Sequence, residues 1–158
     1  MTNIAAMATN EPVSRNLKGS VHILWPGGSD TTYAGLTNFT LTYITNLQNA
    51  GASVGLATML SKYAYDVTYP TFRTNYNNWI YSNYNAWGCF LVDLAGASTN
   101  LGYINAFSNS MWFAPFPSLD LVPHPNSNAY SMFIAPTIAN SICITNTVNG
   151  KVFRSPAF

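Results

Sequence analysis

Apolar and polar residues alternate in short runs along most of this chain, and the alternation predicts strands. Phe39-Thr40-Leu41-Thr42-Tyr43 sets Phe39, Leu41 and Tyr43 on one face and two threonines on the other. Tyr65-Asp66-Val67-Thr68-Tyr69 repeats the pattern and stops at Pro70, which has no N–H for a ladder. Val21-His22-Ile23-Leu24-Trp25 is a β-rich run closed by the turn cluster Pro26-Gly27-Gly28-Ser29-Asp30. Gly88 to Leu94 is almost wholly apolar, as in a strand covered on both faces. Tyr103 to Phe116 is a longer run broken by Pro115 and Pro117. Ser141-Ile142-Cys143-Ile144-Thr145 and Val152-Phe153 flank Asn149-Gly150, a strong hairpin signal. One segment alone reads as helix: Leu56, Met59, Leu60 and Tyr63 fall at i, i+3, i+4 and i+7 within 56–63. The expectation is an all-β, antiparallel β-sandwich with that one short helix, in a single domain spanning 1–158.

Composition sharpens the picture. The 158 residues are 48% apolar and 15% aromatic but only 7% charged, against roughly 25% charged in an ordinary domain. The six bases and five acids are scattered singly, for a net charge of +1. Phosphate neutralisation needs clustered Lys and Arg, so a nucleic acid such as RNA is expected to bind weakly and without specificity at most. No apolar run approaches the roughly 18 residues of a membrane span, and Met1 to Pro12 lacks the pattern of a signal peptide. Surface polarity has to come from hydroxyls and from nineteen asparagines. Such a surface loses little on desolvation, and interface cores are depleted of charge. A chain that works packed among other subunits is the expectation.

Few constellations point to chemistry. Gly51-Ala52-Ser53-Val54-Gly55 matches the Gly-x-Ser-x-Gly elbow, with Asp93 or Asp120 and then His124 following in hydrolase order. The elbow needs a strand that turns directly into a helix. Asn46 to Ala50 reads instead as a turn, and the pattern lacks the alternating helices of a parallel sheet. A small serine hydrolase using Ser53 is therefore the lesser alternative. His22, His124, Cys89 and Cys143 lie too far apart in sequence to suggest a metal site, and no spacing pairs Asp30, Asp66, Asp93 and Asp120 for glycosidase work. No catalytic residue, metal or cofactor is expected. Trp79, Tyr81, Tyr84 and Trp87 cluster with Asn75, Asn77, Asn78, Asn83 and Asn85. Aromatics beside amides suit a sugar platform, and they suit a subunit contact equally well.

The order of these segments resembles the capsid jelly roll of picorna-like viruses. Gly19-Ser20-Val21-His22-Ile23-Leu24 resembles strand D, and Phe39-Thr40-Leu41-Thr42-Tyr43-Ile44-Thr45 resembles strand E. The helix at Leu56 to Tyr63 falls between E and F; Tyr65 to Phe72 is similar to the segment leading towards G. Trp87 to Val92 looks like strand H, and Phe113 to Pro125, with Ser118-Leu119-Asp120-Leu121-Val122-Pro123-His124-Pro125, like the end of strand I. The resemblance covers about residues 18–125, and strands B and C have no counterpart. It implies a structural coat protein of a non-enveloped icosahedral virion, assembled in the host cytoplasm with sister capsid chains. Residues 1–17 would be an N-terminal arm and 126–158 a C-terminal extension, with a host receptor or glycan as a further partner. The alternative is a β-sandwich carbohydrate-binding module with Trp79 to Trp87 as its platform.

Overall fold

The computed structural model describes residues 16–25, 33–60, 69–100, 127–148 and 151–156. Within them the chain runs β1 (Val21–Leu24), α1 (Tyr33–Asn49), β2 (Ser53–Ala57), α2 (Tyr69–Asn83), β3 (Phe90–Val92) and α3 (Leu94–Asn100). A helical rod follows: α4 (Ser127–Ala129), a π-helical turn (Tyr130–Ile134) and α5 (Ala135–Ile142). The hairpin β4 (Cys143–Val148) and β5 (Lys151–Pro156) comes last. The three-stranded sheet has the order β1-β2-β3 and is parallel throughout, with Ile23 opposite Gly55 and Gly55 opposite Phe90. The described chain is thus α/β. The expected antiparallel jelly-roll sandwich is overturned: helices carry most of the described residues, and the main sheet is parallel.

Strand β2 explains the layout. It is hydrogen-bonded on both edges and covered on both faces, and such a strand needs helical crossovers. Val54 and Leu56 face a core built with Leu36, Ile44 and Leu47 of α1 and Tyr76 and Ile80 of α2. Ala57 turns the other way, to Val92, Leu94, Ala129, Phe133 and Ile134, with Ile23, Trp25, Phe90 and Ile138 packed alongside. Two helices therefore lie on one face and the rod on the other. Pro136 follows the π turn, in which the Ala135 N–H reaches back to the Tyr130 carbonyl. The wider turn accommodates a proline ring that would otherwise crowd the carbonyl four residues earlier.

The largest correction is at Phe39–Tyr43, which lies inside α1 rather than in a strand. The buried positions are Leu36, Thr40, Ile44 and Leu47, a helical stripe, whereas Leu41 is exposed. Alternation over five residues concealed the longer period. Thr37, Thr42 and Thr45 donate their hydroxyls to carbonyls one turn back, which satisfies side chains with a low helix propensity. The expected helix at 56–63 is corrected too. Leu56 and Ala57 end β2, and Met59 and Leu60 are buried towards opposite faces. Residues 61–68 lie outside the described ones, as do the turn cluster 26–30, the run 103–116, and Asp120 and His124. Tyr69 and Pro70 open α2, where a missing proline N–H costs nothing. The strands at Val21–Leu24 and Phe90–Val92 form, and β4 pairs antiparallel with β5, with Val148 opposite Lys151; Asn149 and Gly150 lie outside the described residues. No helix among the described residues is long and apolar enough to cross a membrane.

Both glycines of the Gly-x-Ser-x-Gly pattern serve this packing. Gly51 takes a left-handed turn at φ 89°. Gly55 leaves room for Phe90, whose ring atoms would stand 2.5 Å from an added Cβ. Gly55→Ala is expected to cost about 1–3 kcal/mol through overpacking, read as a lower midpoint in urea. Adding Phe90→Leu should recover part of the loss, and additive costs would show that the two residues do not meet.

Candidate functional site

The aromatic and amide residues singled out in the sequence belong to α2 and the turn after it. Along the helix, positions 75, 78, 79, 82 and 83 recur with the spacing of one face. Asn75, Asn78, Trp79, Ser82 and Asn83 line an open groove of about 340 Å³, closed at one side by Tyr33 from the start of α1. No charged residue lines it. Tyr33 meets Phe72 edge-on, with centroids 6.5 Å apart, and remains exposed. Trp79 is half-buried, with Tyr76 at 5.6 Å and Trp87 at 4.6 Å. Trp87 does not line the groove; it packs against the core beside Trp79 and supports it. Asn83 donates its amide to the Trp79 carbonyl at 2.7 Å, and the Ser82 hydroxyl donates to the Asn78 carbonyl at 2.8 Å. The Asn83 side-chain carbonyl keeps its acceptor capacity, and the Asn75 and Asn78 amides stand exposed.

Two other members of the sequence cluster have different tasks. Asn77 is buried and clamps the end of β2: its carbonyl accepts the Met59 N–H at 2.8 Å and its amide donates to the Met59 carbonyl at 3.0 Å. Tyr81 donates its hydroxyl to Asp93 at 2.6 Å. Burial, then the hydrogen bond to Asp93 and that carboxylate's charge, raise the Tyr81 phenol well above its usual range, so it remains a donor. Gln48 donates to the Trp87 carbonyl at 2.7 Å, tying the turn after α2 back to α1. Cys89 is buried, which pushes its thiol up to about 11 and keeps it protonated at neutral pH.

The hydrolase candidate does not assemble. Ser53 opens β2, with its N–H bonded to the Ser20 carbonyl, and no helix follows directly. Alternating helices do exist here, contrary to the sequence reading, but Ser53 stands at the amino end of its strand. Thr58, five residues on, is the one that touches Asp93, so five residues of extended chain, about 16 Å in length, separate Ser53 from the residue at that carboxylate. His22 sits at the same amino end, its ring 3.1 Å from the Ser20 hydroxyl. Among the described residues no three His, Cys, Asp or Glu gather as metal ligands do.

Asn77→Ala would leave the buried Met59 N–H and carbonyl unpaired. A loss of about 3 kcal/mol is expected, measured by urea unfolding; a change under about 1 kcal/mol would mean that water replaces the clamp. No protein-family model, curated protein or solved structure matches this chain, so its function has to be read from the geometry of its own surface.

Proposed function

We propose that the chain is a binding module for neutral carbohydrates, which it takes up in the groove along α2. The observation that carries this reading is the convergence of three amides, a hydroxyl and two aromatic rings on one open cleft without charge. A sugar presents hydroxyls that both donate and accept, and side-chain amides answer both roles on one residue. Its C–H faces pack on aromatic rings, here Tyr33 and the groove-facing part of Trp79. The volume is at the lower end of small-ligand sites, a size for one or two sugar units. The fold that presents the groove is α/β, not the β-sandwich expected for such a module.

Screening the full chain against a glycan array, followed by calorimetric titration, tests this. A neutral mono- or disaccharide is expected to bind, and Tyr33→Ala or Asn78→Ala, both at exposed positions, to weaken it about fivefold or more, the loss of about 1 kcal/mol of contact. A silent array, or binding indifferent to Tyr33→Ala, would sink the proposal.

Composition and surface support a second reading, that of a subunit working among sister chains as in a virion shell. With 7% charged residues the chain has little to keep it apart from its neighbours, and Tyr130 and Met132 are exposed on the outer face of the rod, at 46% and 61%. Sizing the purified chain by light scattering is expected to show large assemblies on this reading; a stable monomer at high concentration counts against it.

A further inference from the structure

Hydrogen bonding within the groove along α2 divides it into two ends of unlike chemistry. At the end nearer the helix C-terminus the donors are spent. The Asn83 amide nitrogen donates to the Trp79 carbonyl at 2.7 Å, which leaves Asn83 Oδ1 as an acceptor. The Ser82 hydroxyl gives its one proton to the Asn78 backbone carbonyl at 2.8 Å, so its oxygen can only accept. At the other end nothing is spent. The side chains of Asn75 and Asn78 are exposed and hydrogen-bond to no described residue, so each keeps two donors and an acceptor. Trp79 comes between the two ends in chain order, with its ring held by Tyr76 at 5.6 Å and Trp87 at 4.6 Å.

A hydroxyl makes no use of this division. It rotates, donates or accepts, and either end would satisfy it. A secondary amide does use it. Its N–H only donates and its carbonyl only accepts, and in the trans form the two point to opposite sides. Such a group needs an acceptor on one side and a donor on the other. Asn78 and Ser82 supply them one helical turn apart, about 6 Å along the axis. A methyl group carried by the amide needs apolar ground, and Trp79 and Tyr33 are the aromatic members of the lining. An amide is also neutral, as is every residue of the lining.

We propose, building on the reading of the groove as a carbohydrate site, that its preferred ligand is a 2-acetamido sugar. The amide N–H of that sugar donates to the Ser82 and Asn83 oxygens, its acetyl carbonyl accepts from the Asn75 or Asn78 amide, and its methyl group packs against Trp79. Ser82 and Asn83 are then the residues that set specificity, because they accept a donor that cannot turn away.

Calorimetric titration of the full chain with N-acetylglucosamine, N-acetylgalactosamine, glucose and galactose tests this. In at least one of the two pairs the acetamido sugar is expected to bind about tenfold or more tighter than its parent hexose. Methylating the amide nitrogen of that sugar removes the donor and keeps the carbonyl, and it should weaken binding about fivefold. Ser82→Ala removes one acceptor at an exposed position and puts a strong helix former there; the preference over the hexose should fall about threefold. Hexoses that bind as tightly as their acetamido partners would overturn the proposal and leave the carbohydrate reading standing. So would a preference that survives N-methylation or Ser82→Ala, or an array on which only sugars without an acetamido group bind. No response to any sugar would bring down both.

Discussion

A five-residue parallel strand buried on both faces governs this molecule. β2 pairs with β1 on one side and β3 on the other, so it has no free edge. Val54 and Leu56 need one apolar cover and Ala57 another, and parallel neighbours forbid a tight hairpin between them. α1 and α2 meet the first demand as crossovers, and the rod from Ser127 meets the second. Gly55 follows from the same constraint: with α1 and α2 holding one face tightly, Phe90 gains its place by lying across a strand position that has no side chain. The candidate groove then lies on the outside of α2, an element that β2 positions.

How far the sequence could disclose this depends on how locally each element is determined. β1, β3 and the β4–β5 pair are short, apolar or turn-bounded segments, and their residue types settle them. Phe39–Tyr43 was misread because its residues have strand propensity and a two-residue alternation, while its burial is decided by Leu36 and Leu47 outside that window. Burial against β2 outweighs propensity there. Leu56–Leu60 failed in the opposite sense. Its apolar spacing fits a helix, yet Leu56 and Ala57 alternate faces in a strand, and Met59 and Leu60 part to the two cores. A fully covered strand has no polar face to mark its period. Strand E and the helix at 56–63 were two of the segments that carried the capsid resemblance, and Phe39–Tyr43 and Leu56–Leu60 fold otherwise.

The candidate groove was more legible than the fold. Aromatics and amides crowded into 75–87 stand out in any architecture, and the helix brings 75, 78, 79, 82 and 83 onto one face. What the residue list could not show was the division of labour within it. Trp87 and Tyr84 went to support and core, Asn77 to clamping Met59, and Tyr81 to Asp93. Tyr33, some forty residues earlier, had no sequence signal to connect it with the cluster. Its place in the groove comes from the packing of α1 against α2, where the buried Thr40 hydroxyl stands 3.1 Å from the Tyr76 hydroxyl.

Scarcity of charge gives each ionised group unusual weight. In a chain with five acids, Asp93 occupies the point where the two connections diverge, and three donors converge on one of its oxygens. Capping α3 accounts for the Gly96 bond, and Asn, Ser or Thr would cap as well without bringing a charge into a half-buried place. Tyr81 and Thr58 are not needed for a cap. Both hydroxyls instead donate to the carboxylate and hold its orientation. An oriented carboxylate at the carboxyl end of the sheet thus ties α2, the end of β2 and α3 together through Tyr81, Thr58 and Gly96.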